Sequence, residues 1–370
     1  MPKTKVVVIG AGFAGATVAH LLKKKYDVTV LEASGSPGGG CETKFMSGHP
    51  YTFGPRIFFS RDEEVIGQLT SLIEIRNFDT VSWTYVEADG NFYNYPIQYS
   101  DITTMPDSKL IQKELSGLNK NTIDASNFES YWLSAIGETL YDKFVDKYSR
   151  KMWGVESNKN LLASFEWVNK GIPIRDGDTR LYQDQFQGYP VSPDGYNPYF
   201  DRALSGVTVR YRTAVKTFDP DSKKITLSDE TSITADVVIN TIPVDALFSY
   251  TYGRLLYSGR TFLPLILPVP QVLPDGITWV HYAGNEPYTR VTEFKKITGH
   301  SSPNTLIGIE LPSSSGRYYP VQTEAELTKF ARYKSEFPRN FYSIGRHGSF
   351  RYKGIPDAIR DALDTARMII

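Results

Sequence analysis

The tightest constraint on this chain is its opening, where the apolar run Val6-Val7-Val8-Ile9 enters Gly10-Ala11-Gly12-Phe13-Ala14-Gly15 and then a helical pattern over 17–25. A second apolar stretch, 27–31, ends on Glu32, about twenty residues beyond Gly10, the first glycine. Strand, glycine turn, helix, strand and acid follow one another as in an α/β fold whose parallel sheet binds a dinucleotide. Gly10 permits the tight turn, Gly12 lets backbone approach a pyrophosphate, and Gly15 lets helix and strand pack closely. The start of the helix offers N–H groups and positive dipole to the phosphates. Glu32 is placed to accept hydrogen bonds from a ribose diol.

Ala33 follows the acid at once, and a second glycine cluster, Gly38-Gly39-Gly40, comes a few residues later. A second glycine pair lets backbone run along a long dinucleotide, and its spacing from Glu32 resembles that of flavoproteins with an FAD site, so FAD is the expected cofactor. With 370 residues, 41 basic and 41 acidic, the chain carries no net charge, so no global field favours nucleic acid or an anionic membrane as partner. The start, Met1-Pro2-Lys3-Thr4-Lys5, lacks the apolar core of a signal peptide, and no run nears the roughly eighteen apolar residues of a spanning helix. A cytoplasmic protein without membrane insertion is expected. The single cysteine, Cys41, excludes an intrachain disulfide and reads as a buried structural residue beside the glycine cluster. Five histidines, His20, His49, His281, His300 and His347, show no ligand spacing, so no metal is expected.

After a short hairpin over 42–50 and a helical stretch over 62–75, the segment 79–99 alternates polar and aromatic residues around a turn at Ala88-Asp89-Gly90, which predicts a β-hairpin. From 106 to 162 the pattern turns helical, with helices over 107–118, 128–136 and 140–152. Gly, Pro and Asp punctuate 173–196, predicting loops and a strand around Leu181-Tyr182-Gln183, and 197–204 restarts a helix. The apolar strand ending Asn240-Thr241-Ile242-Pro243 marks a return to the first sheet, 254–311 is strand-rich, and 340–345 is a strand running into Gly345 before a last helix over 355–368. The expected organisation is a split Rossmann-like FAD domain (1–78, 197–246 and 325–370), a helical domain (100–166) and an antiparallel sheet domain for substrate (79–99, 167–196 and 247–324).

No Ser, Cys or carboxylate motif supplies a side-chain nucleophile with a base, so the cofactor must carry the chemistry. The 24 tyrosines and several arginines supply another kind of surface: Tyr148 with Trp153, Arg175 with Tyr182, Arg290, Tyr318 with Tyr319, and Arg346 with Tyr352. Arginine forks and phenols are donors suited to a diphosphate, and the rings of Tyr148 and Trp153 suit a stacked base or sugar.

Taken together, several segments resemble the UDP-galactopyranose mutase family. Residues 140–154 resemble its helix LYxxFxxxYxxKxWG, the stretch ending Pro173-Ile174-Arg175 with Tyr182 its PxR segment and following strand, and Tyr288-Thr289-Arg290 its YTR strand. Arg317-Tyr318-Tyr319-Pro320 resembles its PYYP, and Gly345 to Tyr352 its GRxxxYxY. The resemblance implies an intramolecular transferase, or isomerase, that interconverts pyranose and furanose rings of a nucleotide-diphosphate hexose. It does so through an adduct at N5 of reduced FAD with no net redox, supplying furanose donors for surface polysaccharide or glycoside biosynthesis. It further implies a substrate site of Tyr148, Trp153, Arg175, Tyr182, Arg290, Tyr319 and Tyr352. The FAD site it implies comprises Gly10, Gly12, Phe13, Ala14, Gly15, Glu32, Ala33, Gly39, Gly40, Arg56, Ile57 and Val215, closed by Gly345, Arg346 and Tyr352. Arg290 would hold the leaving diphosphate and Arg56 would tune the flavin.

The chain departs from the family's pattern at Arg56, where the family has histidine; at Gly171, where it has a mobile-loop arginine that Lys170 or Arg175 could replace; and at Tyr352-Lys353-Gly354-Ile355, where an acidic residue is missing. These departures point to a substrate other than UDP-galactose itself, such as UDP-N-acetylgalactosamine or a dTDP-6-deoxyhexose like dTDP-fucose. An FAD-dependent oxidoreductase of the amine oxidase or desaturase type and a catalytically silent nucleotide-binding protein are the alternatives, and a homodimer is left open.

Overall fold

A computed structural model describes residues 3–119, 122–164 and 174–370. They fall into two compact units: residues up to Asn77 with Gly188–Leu256 and Ala325–Ile370, and Phe78–Gln187 with Tyr257–Glu324.

The first unit is built on a five-stranded sheet in the order Thr208–Arg210, Asp27–Leu31, Lys5–Ile9, Val237–Asn240, Phe341–Ser343. Every pairing in it is parallel. Val6, Val8, Val30, Val238 and Ile239 are fully buried, as expected of central strands covered on both faces. The helix Phe13–Leu22 is short, small-residued and mostly buried, and it packs against Ile355–Ile369. It ends at Leu22 rather than continuing through 25, because the Leu22 carbonyl accepts from both Lys25 and Tyr26 in the turn that reverses the chain into Asp27–Leu31. The expected helix over 62–75 is likewise shorter, Glu63–Thr70. It is capped by Asp62, whose Oδ1 accepts from the Glu64 and Val65 N–H groups, and the chain then becomes the strand Ile75–Asn77.

The second unit carries a seven-stranded sheet in the order Tyr319–Pro320, Tyr257–Leu267, Thr305–Ser313, Arg290–Glu293, Ile277–Tyr282, Val81–Val86, Asn91–Tyr95. Its pairings are antiparallel except that of Ile277–Tyr282 with Val81–Val86, which is parallel. The hairpin expected over 79–99 is present, and the helix Phe128–Ile136 has the bounds its pattern gives. The helix expected over 140–152 runs from Glu138 to Trp153 but widens into a π turn over Asp142–Asp146. At that turn the buried Lys143 pairs with Asp89 and, at 2.8 Å, with Asp107. Leu181-Tyr182-Gln183 is no strand. Its backbone acceptors are taken by side chains: Arg175 Nη2 reaches the Leu181 carbonyl at 3.5 Å and Gln187 Nε2 the Tyr182 carbonyl at 3.1 Å. The strand of this region is Phe186–Pro190 instead, paired with Ile75–Asn77.

Candidate active site

In the first unit the glycines make a groove out of backbone. A Cβ on Gly10 (φ +98°) would lie 2.3 Å from Thr241 Oγ1, and one on Gly15 would lie 2.0 Å from the Gly10 carbonyl, so both positions need glycine for internal packing. Gly12 and Gly39 are different. The nearest atoms to Cβ positions there, 4.0 Å away, are the Gly38 carbonyl oxygen and Gly12 Cα, so neither hydrogen is packed against the protein. The Gly38 N–H donates to the Ala11 carbonyl at 2.9 Å and holds the two glycine clusters together. Gly12 caps the helix without a side-chain hydrogen bond, so no side chain there occupies its first-turn N–H groups.

The Phe13 ring turns away from the groove into a cluster with Tyr196, Tyr199 and Phe200 at centroid distances of 5.3, 4.8 and 4.9 Å. Its burial is worth about 1.5–3 kcal/mol and fixes the helix start, so Phe13 and its neighbour Ala14 offer backbone to a ligand. Glu32 sits at the strand end with Oε2 accepting from the Ala11 N–H (2.8 Å) and Oε1 from the Ser34 N–H and hydroxyl (both 2.8 Å). Ala33 is exposed beside it, and backbone bonds from Arg212 and Thr213 to Ser34 and Glu32 bring the start of Val215–Asp219 to the same edge.

At the other end of the groove Arg56 Nε donates to the Gly40 carbonyl at 2.9 Å, and Ile57 is buried next to it. Gly345 (φ +72°) leaves only 3.0 Å between its Cβ position and Ala14 Cβ, which seats the turn on the helix start. Arg346 donates to the Lys353 carbonyl through Nε (2.9 Å) and Nη2 (2.7 Å) and lies 4.8 Å over the Tyr352 ring. Cys41 is half-buried. Burial pushes its thiol pKa up, and the opposing pull of Arg56 and Arg346 shows two cations beside it. Open glycine space, uncapped helix N–H groups, an acid at the strand end and cations at the far end fit a dinucleotide with a charged diphosphate and a ring that can become anionic.

The second unit builds its site from side chains. A pocket that opens partly to solvent is walled by Tyr95, Trp132, Phe144, Tyr148, Trp153 and His281 among others. Trp279 Nε1–H, a donor only, bonds His281 Nε2 at 2.8 Å, so the neutral ring carries its proton on Nδ1 and donates it to the Tyr148 hydroxyl at 3.2 Å. Arg290 lies 5.8 Å over the Trp279 ring and is bound through Nε (2.7 Å) and Nη2 (2.9 Å) by the buried Glu310. Glu310 raises the Arg290 pKa against the cost of burial, and the phenols of Tyr148 and Tyr319 add to the effect. Tyr319 is buried edge-on to Trp153 at 6.1 Å, with Arg260 4.8 Å over its ring.

Tyr148, Trp153, Arg290 and Tyr319 are therefore brought together. Arg175 comes near through Tyr95, whose hydroxyl pKa is raised by burial and by Tyr148 against the smaller pull of Arg175, but its guanidinium bonds the Arg180 carbonyl at 2.6 Å and is partly spent on its own loop. Tyr182 is half-buried on that loop. Tyr352 belongs to the first unit. Lys170 and Gly171 lie outside the described residues. Sequence reasoning set His281 aside among scattered histidines and did not single out Trp279, Tyr95 or Glu310. Only the alternation of Trp279 and His281 along one strand, which puts both on one face, marked them. Among the described residues no group of His, Cys, Asp or Glu could hold a metal, and no helix is long and apolar enough to cross a membrane.

A family model for UDP-galactopyranose mutase matches residues 143–352, and one for an NAD(P)-binding Rossmann-like domain matches residues 8–71. The dTDP-fucopyranose mutase of Escherichia coli is 27% identical over 99% of this chain and 98% of its own length. A probable UDP-galactopyranose mutase of Klebsiella pneumoniae is 26% identical over 99% and 94%. The crystal structure of a reduced UDP-galactopyranose mutase superposes with a TM-score of 0.83 at 19% identity, covering 99% of this chain and 95% of that one.

Proposed function

Because the chain belongs to the UDP-galactopyranose mutase family, we propose that it is a flavin-dependent mutase interconverting the pyranose and furanose forms of a nucleotide-diphosphate hexose, with no net oxidation. The observation that supports this reading is the run Tyr148, His281, Trp279, Arg290 in the second unit, an aromatic pocket suited to a base beside an arginine fork suited to a diphosphate. In the first unit Gly12 and Gly39 take the FAD pyrophosphate and Glu32 its ribose. Reduced FAD, if held by these residues, would supply a nucleophilic nitrogen.

Arg290 spends two of its five N–H bonds on Glu310 and keeps the others for phosphate oxygens. Its charge is held in place and largely balanced, so it retains the leaving diphosphate without trapping it. Tyr182 and Tyr319 add phenol donors, and Tyr148 and Trp153 bound the base. Arg56, fixed on the Gly40 carbonyl, places a permanent cation beside the groove and favours an anionic reduced flavin. The relatives named for a dTDP-fucose and a UDP-galactose substrate make both nucleotides candidates. The departures at Arg56 and 353–355 favour a 6-deoxy or N-acetylated hexose.

The test is anaerobic. The purified protein is reduced with dithionite and offered UDP- and dTDP-hexoses, and the products are separated by chromatography and weighed. A new peak of identical mass, formed only by the reduced protein, is the expected result. No conversion, with flavin reduction by an amine or another hydride donor, would return the chain to the oxidase and desaturase class.

A further inference from the structure

Lys151 lies on the helix Lys147–Trp153, three residues after Tyr148 and two before Trp153. Its side chain is mostly buried, and its ammonium donates to the carbonyls of Tyr282 (3.0 Å), Gly284 (3.1 Å), Glu286 (2.7 Å) and Tyr288 (2.9 Å). Four carbonyls from alternate residues converge on one nitrogen with three N–H bonds, so at least one bond is shared. Carbonyl dipoles pointed at a common centre repel one another unless a cation stands there. The Glu286 carboxylate adds charge at 3.9 Å without a hydrogen bond of its own. Burial pushes the Lys151 pKa down to about 8 against the pull of Glu286 and Glu87, so at pH 7 the carbonyls still face a cation.

The caged segment, 283–289, joins the strand that carries Trp279 and His281 to the strand that begins with Arg290. Its other anchors lie at its two ends and at Asn285: Tyr282 N–H to the Thr289 carbonyl, Ala283 N–H to the Tyr85 carbonyl, Asn285 to Glu87, Thr289 N–H (2.8 Å) and hydroxyl (3.3 Å) to the Glu310 carbonyl, and the Tyr288 ring against Tyr282 at 4.6 Å. We propose that Lys151 is a positioning residue whose ammonium, acting as an internal cation, folds 283–289 and so fixes Arg290 relative to the pocket formed by Tyr148, Trp153 and His281. This inference rests on the nucleotide-sugar reading of that site. The helix that faces the base thereby also sets the arginine that faces the diphosphate, through one side chain that touches neither.

Lys151→Ala removes the stem and head and leaves room for a three-carbon ammonium ion. The expected result is a rise in KM for the nucleotide sugar on the order of 10- to 100-fold with little change in kcat and unchanged flavin content. Propylammonium, which carries N–H donors, should lower KM again, and tetramethylammonium, which has none, should not. An unaltered KM overturns the proposal, and so does a raised KM that no N–H cation lowers, because packing and not the cage would then be at stake. Should Lys151→Ala fail to fold, Lys151→Met keeps the volume of the stem. Amide exchange in that variant should speed up over 283–290 while the Rossmann strands stay protected, and unchanged protection of 283–290 overturns the proposal. The exchange measurement needs no turnover, so a wild-type protein that converts no nucleotide sugar would sink the functional reading and still decide the role of Lys151.

Discussion

The first unit shapes its ligand surface with backbone, whereas the second does so with side chains drawn from distant strands. Around Gly10, Gly12, Gly15, Gly39 and Gly345 the groove consists of what is missing, and each Cβ position is either blocked by the protein or left open. Around Tyr148 and Arg290 the surface consists of what is present: an indole, an imidazole, phenols and a guanidinium linked over hydrogen bonds of 2.8 and 3.2 Å and an ion pair of 2.7 Å. Backbone surfaces recognise what every dinucleotide shares, a pyrophosphate. Side-chain surfaces can be exchanged one residue at a time, so under the proposed function the choice of base and sugar would rest with the second unit.

The widest separation between the two designs should come from paired glycine substitutions. Gly15→Ala drives a Cβ to within 2.0 Å of the Gly10 carbonyl, and backbone cannot yield there. Loss of about 3 kcal/mol or more and of all bound flavin is expected, read from urea unfolding and the visible spectrum. Gly12→Ala meets nothing closer than 4.0 Å, so it should fold with wild-type stability and still purify with little flavin. A yellow, fully loaded Gly12→Ala protein would show that the open space beside Gly12 is not where the pyrophosphate lies.

The ion pair of the second unit comes next. Glu310→Gln keeps the shape and one acceptor but leaves Arg290 a mostly buried cation without its counter-charge, at a cost of about 2 kcal/mol. Flavin content should hold while the unfolding midpoint falls. An unchanged midpoint would mean that Arg290 is not held by Glu310 in solution, and the preset arginine would have to be abandoned.

A smaller effect tests the relay itself. His281→Phe removes the acceptor of Trp279 and the donor to Tyr148 while keeping a ring in the wall of the pocket. One hydrogen bond of about 1 kcal/mol corresponds to roughly a fivefold weaker affinity for UDP or dTDP, measurable by calorimetry, with flavin content unaffected. Identical affinity would remove His281 from the site.

These contrasts also explain what could be read from the sequence. The strand Asp27–Leu31 and the helices Phe128–Ile136 and Asn197–Leu204 have the bounds their patterns give, because local periodicity and caps decide them. The glycine groove was legible because few residues other than glycine tolerate φ of +98° at position 10 or a backbone carbonyl 2.0 Å from the Cβ position of residue 15. Tyr148, Trp153 and Arg290 stood out as phenol, indole and guanidinium, and motif resemblance grouped them into one site, since nothing local says that a tyrosine on a helix will meet a histidine 133 positions away. His281 and Glu310 stayed hidden because their importance lies in partners. The same holds for Lys151, whose lysine type gives no hint that four carbonyls of one loop will surround it.

The two units differ, finally, in how their ion pairs face water. Arg360 of the first unit bonds Asp62 through Nε (3.0 Å) and Nη2 (2.6 and 2.5 Å) and Glu64 through Nη1 (2.8 Å), yet these side chains are 28, 39 and 42% exposed. The hydrogen bonds from Arg360 hold the Asp62 carboxyl below its usual range. A lowered folded value means that the stabilisation is complete above the unfolded carboxylate range and is lost as pH falls through the lowered value. Solvent screens the pair, so Arg360→Met should cost about 1 kcal/mol or less at pH 7, against about 2 kcal/mol for Glu310→Gln. Thermal unfolding between pH 6 and pH 3 is the measurement, with the variant losing less stability than the wild type toward the acid end. If the exposed Arg360 pair proves costlier to break than the buried Arg290 pair, burial is not what separates the two units, and the idea that the second unit stakes its stability on a preset arginine fails with it.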